Sequence, residues 1–350
     1  MPRVEEMNWH LECNGKFFIN KLEAIHESRT SGNPIFFRTP DSYKTFDFHV
    51  EPTLTFEQLC RQQAQHLRDN NEEVFLFYSG GCDSHYILQT FIDNDIKIDK
   101  TIMVKSGYRS ADFEIEDYAL PFIRKLGIPY EVRSPDQQYY EDYYLRDDLI
   151  SRTQNEFWHH FRLNNHFENV EKTPKSRVNI FGKEKPKLVF TQDNWYTYFL
   201  DVEVTHQLNQ TNFYIDNPVL YAKQCHMLKQ EIEKHRSPDE YNHITHYNEN
   251  QDFWNKSIGR YNDEVFPLKF LNENGCYSNK DQLAIQSAEP RLVTAWKKRN
   301  GRIVKQFGTQ WFNQGEPSLG SIGVFSEFYC LTRKDIKTVD ELYPNGFKIQ

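Results

Sequence analysis

The feature that most constrains the fold is a run of apolar residues, 74–78, followed directly by Ser-Gly-Gly and then by a helical pattern. The run has the length of a buried strand, and beyond the turn apolar residues recur with the spacing of one helix face. Adjacent glycines adopt backbone conformations that other residues avoid, and they let N–H groups approach a ligand closely. The following helix directs its unpaired N–H groups and its positive dipole end at the same point. The sequence therefore predicts an anion site, suited to a pyrophosphate, between a strand and a helix.

Residues 79–84, Ser-Gly-Gly-Cys-Asp-Ser, resemble the SGGxDS signature of the PP-loop ATP pyrophosphatase superfamily. Its members include asparagine synthetase, GMP synthetase, argininosuccinate synthetase and the tRNA-thiolating ligases. In that superfamily the loop holds the β- and γ-phosphates of ATP while a substrate attacks the α-phosphorus, which gives an adenylate and pyrophosphate. No Gly-Lys-Ser/Thr follows, so the segment is not a Walker loop. The structural alternative is a turn that uses Gly-Gly for its shape alone.

The resemblance implies ATP and Mg²⁺ as cofactors and gives roles to the residues of this loop. The glycine backbone and the serine hydroxyls would hold the pyrophosphate, and the carboxylate would bind Mg²⁺ between itself and the phosphates. The residues concerned are Ser79, Gly80, Gly81, Asp83 and Ser84.

The segments around the loop predict an α/β fold with a doubly wound parallel sheet. Thr55 and Gln58 form a capping box at the start of a helix, and Gly127 is placed to end another helix. Strands that alternate with helices predict parallel pairing with right-handed crossovers and a ligand at the carboxyl ends of the strands. The resemblance implies the adenine nucleotide alpha hydrolase-like version of this fold. The predicted strands are 74–78, 100–104, 128–132 and 188–190, and the predicted helices include 56–69 and 115–126.

We expect three regions in the chain: an N-terminal β hairpin or extension (1–54), a PP-loop ATP-binding α/β domain (55–205) and a C-terminal substrate or lid region (206–350). Asn14-Gly15 predicts the hairpin, and residues 28–45 are rich in turn formers and are expected to be loop. The C-terminal region is expected to be mostly helical, with one helix over 218–235. Residues 1–54 are too few for the N-terminal glutaminase domain of glutamine-dependent asparagine synthetases.

The resemblance also places site residues at the ends of two other predicted strands. The run 188–190 resembles the last parallel strand of asparagine synthetase, whose tip faces the phosphate loop. Thr191 and Gln192 would then bind the nucleotide, and Asp193 would bind Mg²⁺, although Gln192 stands where a glycine is usual. The end of the strand 100–104 would contact adenine and ribose through Lys105, Ser106 and Gly107.

A lysine late in the chain is the remaining implied site residue. In asparagine synthetase relatives such a lysine neutralises phosphate charge in the transition state, and the candidates here are Lys269 and Lys280.

Residues 178–187 are charged and contain Gly and Pro, so they are expected to form a surface loop.

Composition excludes several classes of function. The 350-residue chain has a net charge of −8 and a mean hydropathy of −0.78. Its acidic charge gives no electrostatic attraction to nucleic acid or anionic lipid, and no apolar run approaches the ~20 residues of a membrane helix. Six scattered cysteines without C-x-x-C spacing argue against a zinc ribbon and a disulfide framework. With no apolar signal region at the start, a cytoplasmic protein is expected, and its oligomeric state stays open.

The leading hypothesis is an ATP-dependent adenylating ligase of the asparagine synthetase type. A small molecule with a carboxylate or carbonyl would attack ATP, and an amine or ammonia would displace AMP. Sulfur transfer to a nucleotide or tRNA base is the alternative, and it requires a cysteine that carries a persulfide; Cys82 lies inside the motif. A non-catalytic nucleotide-binding protein is a third possibility, because residues 191–195 depart from the family pattern.

Overall fold

A computed structural model describes residues 9–18, 21–105, 112, 115–134, 174–182, 186–200, 210–235, 237, 305 and 324–344. These residues form three β-sheets: one parallel sheet of five strands, and two smaller antiparallel sheets at the N- and C-terminal sides. In this part of the chain no helix is long and apolar enough to cross a membrane.

The N-terminal residues form a small antiparallel sheet with two helices. The elements are β1 (His10–Cys13), β2 (Lys16–Phe18), α1 (Lys21–Ser31), β3 (Phe36–Arg38) and α2 (Asp41–Thr45), with strand order β2-β1-β3. Asn14 and Gly15 both have positive φ, 54° and 70°, as a type I′ hairpin turn requires. The predicted hairpin is confirmed, whereas the loop predicted over 28–45 is wrong. That segment contains the end of α1 and all of β3 and α2. These elements are short and lie among turn-forming residues, so the sequence pattern did not reveal them.

The central elements confirm most of the alternating pattern. They are α3 (Phe56–Asp69), β4 (Glu73–Phe77), α4 (Cys82–Asp93), β5 (Lys100–Val104), a π-helical turn (Ile115–Ala119), α5 (Leu120–Leu126), β6 (Tyr130–Arg133) and β7 (Arg177–Phe181). Thr55 Oγ1 accepts from the Gln58 N–H at 3.2 Å, and Gln58 Oε1 accepts from the Thr55 N–H at 2.9 Å, so the capping box is present. Pro121 lies in the first turn of α5, directly after the π-helical turn, and Gly127 ends α5 with φ +67°.

The remaining described elements come from the second half of the chain. They are β8 (Leu188–Thr191), β9 (Asn194–Thr197), β10 (Gln210–Asn212), α6 (Pro218–His235), β11 (Phe328–Cys330), β12 (Ile336–Lys337) and α7 (Val339–Leu342). The helix predicted over 218–235 is confirmed as α6. Most of the rest of 206–350 lies outside the described residues.

The parallel sheet has the strand order β10-β7-β4-β5-β6. From β4 the chain adds β5 and then β6 on one side, and it returns to the other side of β4 to add β7 and β10. This reversal makes the sheet doubly wound, as predicted, with its switch point between β4 and β7. Because β10 belongs to this sheet, the sheet extends past residue 205, where the sequence placed the end of the α/β region.

Both faces of β4, β5 and β7 are buried, which explains why these three strands carry apolar residues on both faces. Residues of one face join the main core with α3, α4 and α6, and these are Val74, Leu76, Met103, Val178 and Ile180. Residues of the other face form a separate buried cluster, and these are Phe75, Phe77, Ile102, Val104 and Phe181. Such alternation along each strand fixes its register, because a slip by one residue would exchange the two faces.

The predictions for residues 178–187 and 188–190 are both wrong. Residues 188–190 lie in β8, which pairs antiparallel with β9 in the sheet of order β12-β11-β9-β8. The neighbour of β4 is instead β7, which lies inside the segment 178–187 that was expected to be a surface loop. Only the part after Phe181 carries the charges and the proline that suggested a loop, and the strand before it is buried on both faces.

A charged clamp joins the end of α3 to the edges of β4 and β5. Arg68 Nη1 lies 2.5 Å from Asp99 Oδ2, and the same carboxylate oxygen accepts from the Val74 N–H at 2.8 Å. Arg68 Nη2 donates to the carbonyls of Asn71 and Glu72. Partial burial raises the pKa of Asp99, but hydrogen bonds from Lys97, Arg68 and the Val74 N–H outweigh it and lower that pKa to about 2.

We expect the Asp99→Asn variant to lose part of the acid sensitivity of the fold. The pKa of Asp99 is depressed, so its ionised form stabilises the fold above pH ~4, and this contribution is lost as the pH falls through about 2. Between about pH 5 and pH 2 the wild type should lose about 2 kcal/mol more unfolding free energy than the variant. Urea denaturation across this range measures the difference. Asp95→Asn, an exposed aspartate nearby at φ +54°, should follow the wild type, and equal losses in all three proteins would refute the clamp.

Candidate functional site

The candidate site is the loop that joins β4 to α4 at the switch point of the parallel sheet. Gly80 has φ +72°, a left-handed conformation that favours glycine. Gly81 then caps α4 in extended conformation without a side-chain hydrogen bond to the helix, and the His85 N–H makes the first helical bond to the Gly81 carbonyl at 2.9 Å. The N-terminus of a 12-residue helix therefore points at the loop, which is the arrangement that favours anions.

The two serine hydroxyls predicted to bind phosphate are engaged within the loop itself. Ser84 Oγ accepts from the Ser79 N–H at 3.2 Å and donates to the Gly81 carbonyl at 3.1 Å. Ser79 Oγ accepts from the Gly81 N–H at 3.1 Å and lies 3.2 Å from Ser84 Oγ. These hydrogen bonds hold the loop in one compact conformation. An anion that accepts from either hydroxyl must therefore replace a hydrogen bond that this hydroxyl makes within the loop.

Gly182, directly after β7, forms the opposite wall of the loop. A Cβ at this position would lie 2.8 Å from the Ser84 backbone nitrogen and 3.0 Å from the Asp83 carbonyl carbon. Only glycine therefore lets the end of β7 approach the first turn of α4 so closely. Sequence reasoning missed this residue, although the buried run before it, ended by a glycine, carried the signal.

A tyrosine that follows β10 makes a hydrogen bond to the first turn of α4. Tyr214 Oη donates to the Asp83 carbonyl at 2.9 Å, and the Tyr214 ring is buried. The same turn contains Asp216, which accepts from the Asn212 N–H at 2.7 Å and from Trp9 Nε1 at 3.2 Å. Burial raises the pKa of Asp216 to about 6, against the opposing effect of these hydrogen bonds. No pattern in the sequence indicates these contacts.

Behind the loop lies a buried polar pair. Tyr78 Oη is 3.0 Å from His85 Nδ1, and the imidazole ring packs on Phe122 at a centroid distance of 5.0 Å. Both side chains are buried, so the pair joins the last residue before the loop to the first turn of α4.

Lys105 stands at the carboxyl end of β5, beside the loop strand. Its Nζ lies 2.6 Å from Glu116 Oε1, in the π-helical turn, and its N–H donates to the Arg133 carbonyl at 2.8 Å. The contact of Lys105 with adenine and ribose stays a prediction, and in the structure its ammonium is paired with a carboxylate. Ser106 and Gly107 lie outside the described residues, and so do Lys269 and Lys280.

Thr191, Gln192 and Asp193 lie at the tip of the antiparallel β8–β9 hairpin and not at the end of a parallel strand. Gln192 and Asp193 have φ of 48° and 58°, the values of a type I′ turn. The Gln192 side chain reaches the carbonyls of Glu341 and Leu342 in α7, at 3.4 Å and 3.3 Å. The strand position on which their predicted roles depended is therefore wrong, and β7 with Gly182 occupies that position.

Asp83 is the acidic residue that the structure places in the loop. Its side chain is half-buried in the first turn of α4. Across the described parts of the chain, no three His, Cys, Asp or Glu side chains cluster in a way that could hold a metal ion. The site thus combines a helix N-terminus, a glycine-lined wall, two hydroxyls and one carboxylate, which suits a polyanion that brings its own cation.

No protein-family model and no curated protein matches this chain. Solved structures that match include the U34-tRNA thiolase NcsA from Methanococcus maripaludis with its 4Fe-4S cluster, which is 21% identical over 37% of this chain and 45% of its own, with a TM-score of 0.26. Another is the NH3-dependent NAD synthetase from Campylobacter jejuni in complex with the nitrate ion, which is 15% identical over 73% of this chain and 97% of its own, with a TM-score of 0.31. This chain spans less than half of the thiolase, and at these TM-scores neither likeness bears on its function.

We expect Gly182→Ala to displace the loop between β4 and α4. The added Cβ meets backbone atoms, which cannot rotate away as a side chain can, and such overpacking costs about 1–3 kcal/mol. Amide hydrogen exchange should quicken in residues 79–85. In the control, Gly127→Ala, the new Cβ has no heavy atom within 4 Å, so backbone strain should lower stability without this local effect. Unchanged exchange in residues 79–85 of Gly182→Ala would contradict the close approach.

Proposed function

We propose that this chain belongs to the PP-loop ATP pyrophosphatase superfamily and activates a carboxylate or carbonyl as an adenylate. The observation that supports the proposal is the loop itself. An SGGxDS sequence connects the central strand of a doubly wound parallel sheet to a helix N-terminus, at the switch point of the sheet. That position is where open α/β sheets bind their ligands.

Each part of the loop has a role in this proposal. The backbone of Gly80 and Gly81 and the N-terminus of α4 hold the β- and γ-phosphates. The hydroxyls of Ser79 and Ser84 leave their partners in the loop and donate to phosphate oxygens. Gly182 lets the end of β7 pack directly against the first turn of α4 and so holds that turn in place.

Asp83 is the proposed protein ligand of Mg²⁺. Magnesium in nucleotide sites is usually held by one or two carboxylates together with phosphate oxygens and water. A single half-buried carboxylate in the first turn of α4 fits such an ion, because the phosphates complete its coordination. When bound, the ion neutralises charge on the pyrophosphate that leaves.

The proposed reaction is an amidation in two steps, similar to that of asparagine synthetase. A carboxylate oxygen of a small molecule bonds to the α-phosphorus of ATP and pyrophosphate leaves. Ammonia or an amine then attacks the acyl carbon, an amide forms and AMP leaves. Such chemistry depends on positioning and on stabilisation of phosphate charge. Lys269 and Lys280 remain candidates for the lysine that neutralises phosphate charge in the transition state. A cytoplasmic location is also part of the proposal.

Incubation with ATP, Mg²⁺, ammonium and a panel of carboxylic acids tests this function. The wild type should release AMP and pyrophosphate in equal amounts, measured by chromatography and a pyrophosphate assay. Asp83→Asn should lower the rate by about 10²-fold or more, the usual effect of losing one electrostatic contact to a transition state. Asp93→Asn, at the far end of α4, is the matched control and should keep wild-type activity.

Other products would point elsewhere. Release of ADP and phosphate would contradict adenylation. Tight ATP binding without turnover on any acid of the panel would favour the non-catalytic nucleotide-binding protein.

Sulfur transfer, the alternative, makes a different prediction about cysteines. Cys13, Cys60, Cys225 and Cys330 are buried, and burial raises the pKa of the Cys225 thiol to about 12. A persulfide carrier acts as an accessible thiolate, so these four residues are poorly suited to that role.

We therefore expect the double variant Cys82→Ser and Cys276→Ser to keep its AMP- and pyrophosphate-forming activity. These two cysteines are the remaining ones in the sequence, and amidation does not require either. The assay is the same as for the wild type, with a Cys13→Ser variant as a control for general effects of the substitution. Loss of activity only in the double variant would support sulfur transfer over amidation.

A further inference from the structure

We infer that Tyr214 is a positioning residue for the phosphate loop, an inference that rests on the proposed function. Tyr214 follows β10, the outermost strand of the parallel sheet, and is separated from Asp83 by 131 positions in the sequence. Its phenol donates to the Asp83 carbonyl at 2.9 Å. The contact lies in the first turn of α4, where the helix N–H groups and the Asp83 carboxylate are oriented.

The Tyr214 ring is held firmly by other aromatic rings. It stacks on Phe56 with an interplanar angle of 17° and a centroid distance of 6.3 Å, and it meets Phe213 edge to face at 5.3 Å. Phe56 in turn stacks on Tyr86 of α4 at 5.4 Å. The phenol therefore has little freedom to leave the Asp83 carbonyl, and a fixed donor is what positioning requires.

The turn that carries Tyr214 is anchored on its other side to the N-terminal part of the chain. Tyr43 Oη donates to the Ile215 carbonyl, and Trp9 Nε1 donates to Asp216 at 3.2 Å. Thr211 Oγ1 donates to the second oxygen of the same carboxylate at 2.9 Å. Within this anchored turn, Tyr214 is the residue whose side chain bonds to the loop, so it connects a rigid support to the first turn of α4.

The consequence concerns the polyphosphate rather than the nucleoside. Loss of the phenol frees the first turn of α4 to shift, which misdirects both its N–H groups and the Asp83 carboxylate. Because these groups face the proposed β- and γ-phosphates, binding of ATP and pyrophosphate should weaken while binding of AMP should not. A purely structural role would instead lower the stability of the fold and affect all three ligands alike.

Tyr214→Phe tests the inference, with Tyr329→Phe as its matched control. Both substitutions keep a buried ring and remove one hydrogen bond of a phenol, but the Tyr329 phenol pairs with the Thr39 hydroxyl and reaches neither the loop nor the turn that carries Tyr214. Tyr214→Phe should weaken binding of ATP and of inorganic pyrophosphate, each with Mg²⁺, by about 3- to 10-fold, the usual effect of one neutral hydrogen bond. Its affinity for AMP should equal that of the wild type. Tyr329→Phe should bind all three as the wild type does.

Amide hydrogen exchange gives a second readout that does not depend on nucleotide. Exchange in residues 79–85 should quicken in Tyr214→Phe and stay unchanged in Tyr329→Phe, with the global stability of both variants measured by urea denaturation. Equal exchange in the two variants, or equal weakening of AMP and pyrophosphate binding, would overturn the positioning role. A wild type that binds no ATP would refute the proposed function, and the exchange data would still decide whether Tyr214 orders the loop.

Discussion

The close approach of Gly182 to the first turn of α4 is the contact on which the candidate site depends. It brings the end of β7 within van der Waals distance of the Asp83 and Ser84 backbone, and it does so only because residue 182 has no Cβ. The approach is possible because β7 pairs in parallel register with β4 along five residues, from Glu73 opposite Arg177 to Phe77 opposite Phe181. The register of β7, the strand order and the conformation of the loop therefore depend on one another. A substitution at Gly182 should change the conformation of the loop.

The elements that sequence could predict are those whose cause is local. The capping box at Thr55, the Asn-Gly hairpin and the end of α5 at Gly127 each depend on residues within a few positions of one another. The loop of residues 79–84 also belongs to this class, since strand, glycines and helix follow directly along the chain. In all these cases the pattern can be recognised without knowledge of the tertiary partner.

The errors arose where the partner strand decides the outcome. An apolar run such as β8 has the same appearance whether it pairs parallel in a central sheet or antiparallel in a hairpin, and β7 was hidden by the charged residues after it. The contact from Tyr214 to Asp83 spans 131 positions and involves a residue type common in this chain. No local pattern distinguishes Tyr214 from the other tyrosines. Its contact with Asp83 becomes evident only from the position of β10 in the sheet.

The bonds inside the loop also constrain where binding energy can come from. Ser79 and Ser84 already bond to the loop backbone, so a phosphate that takes these hydroxyls exchanges one set of hydrogen bonds for another with a small net gain. Under the proposed function, the larger contribution comes from groups whose orientation is fixed in advance, namely the helix N-terminus and the Asp83 carboxylate that would bind Mg²⁺. Fixing that orientation is the task shared by Gly182 on one side and Tyr214 on the other. Preorganisation by distant residues therefore matters more to this site than the number of hydroxyls in its motif.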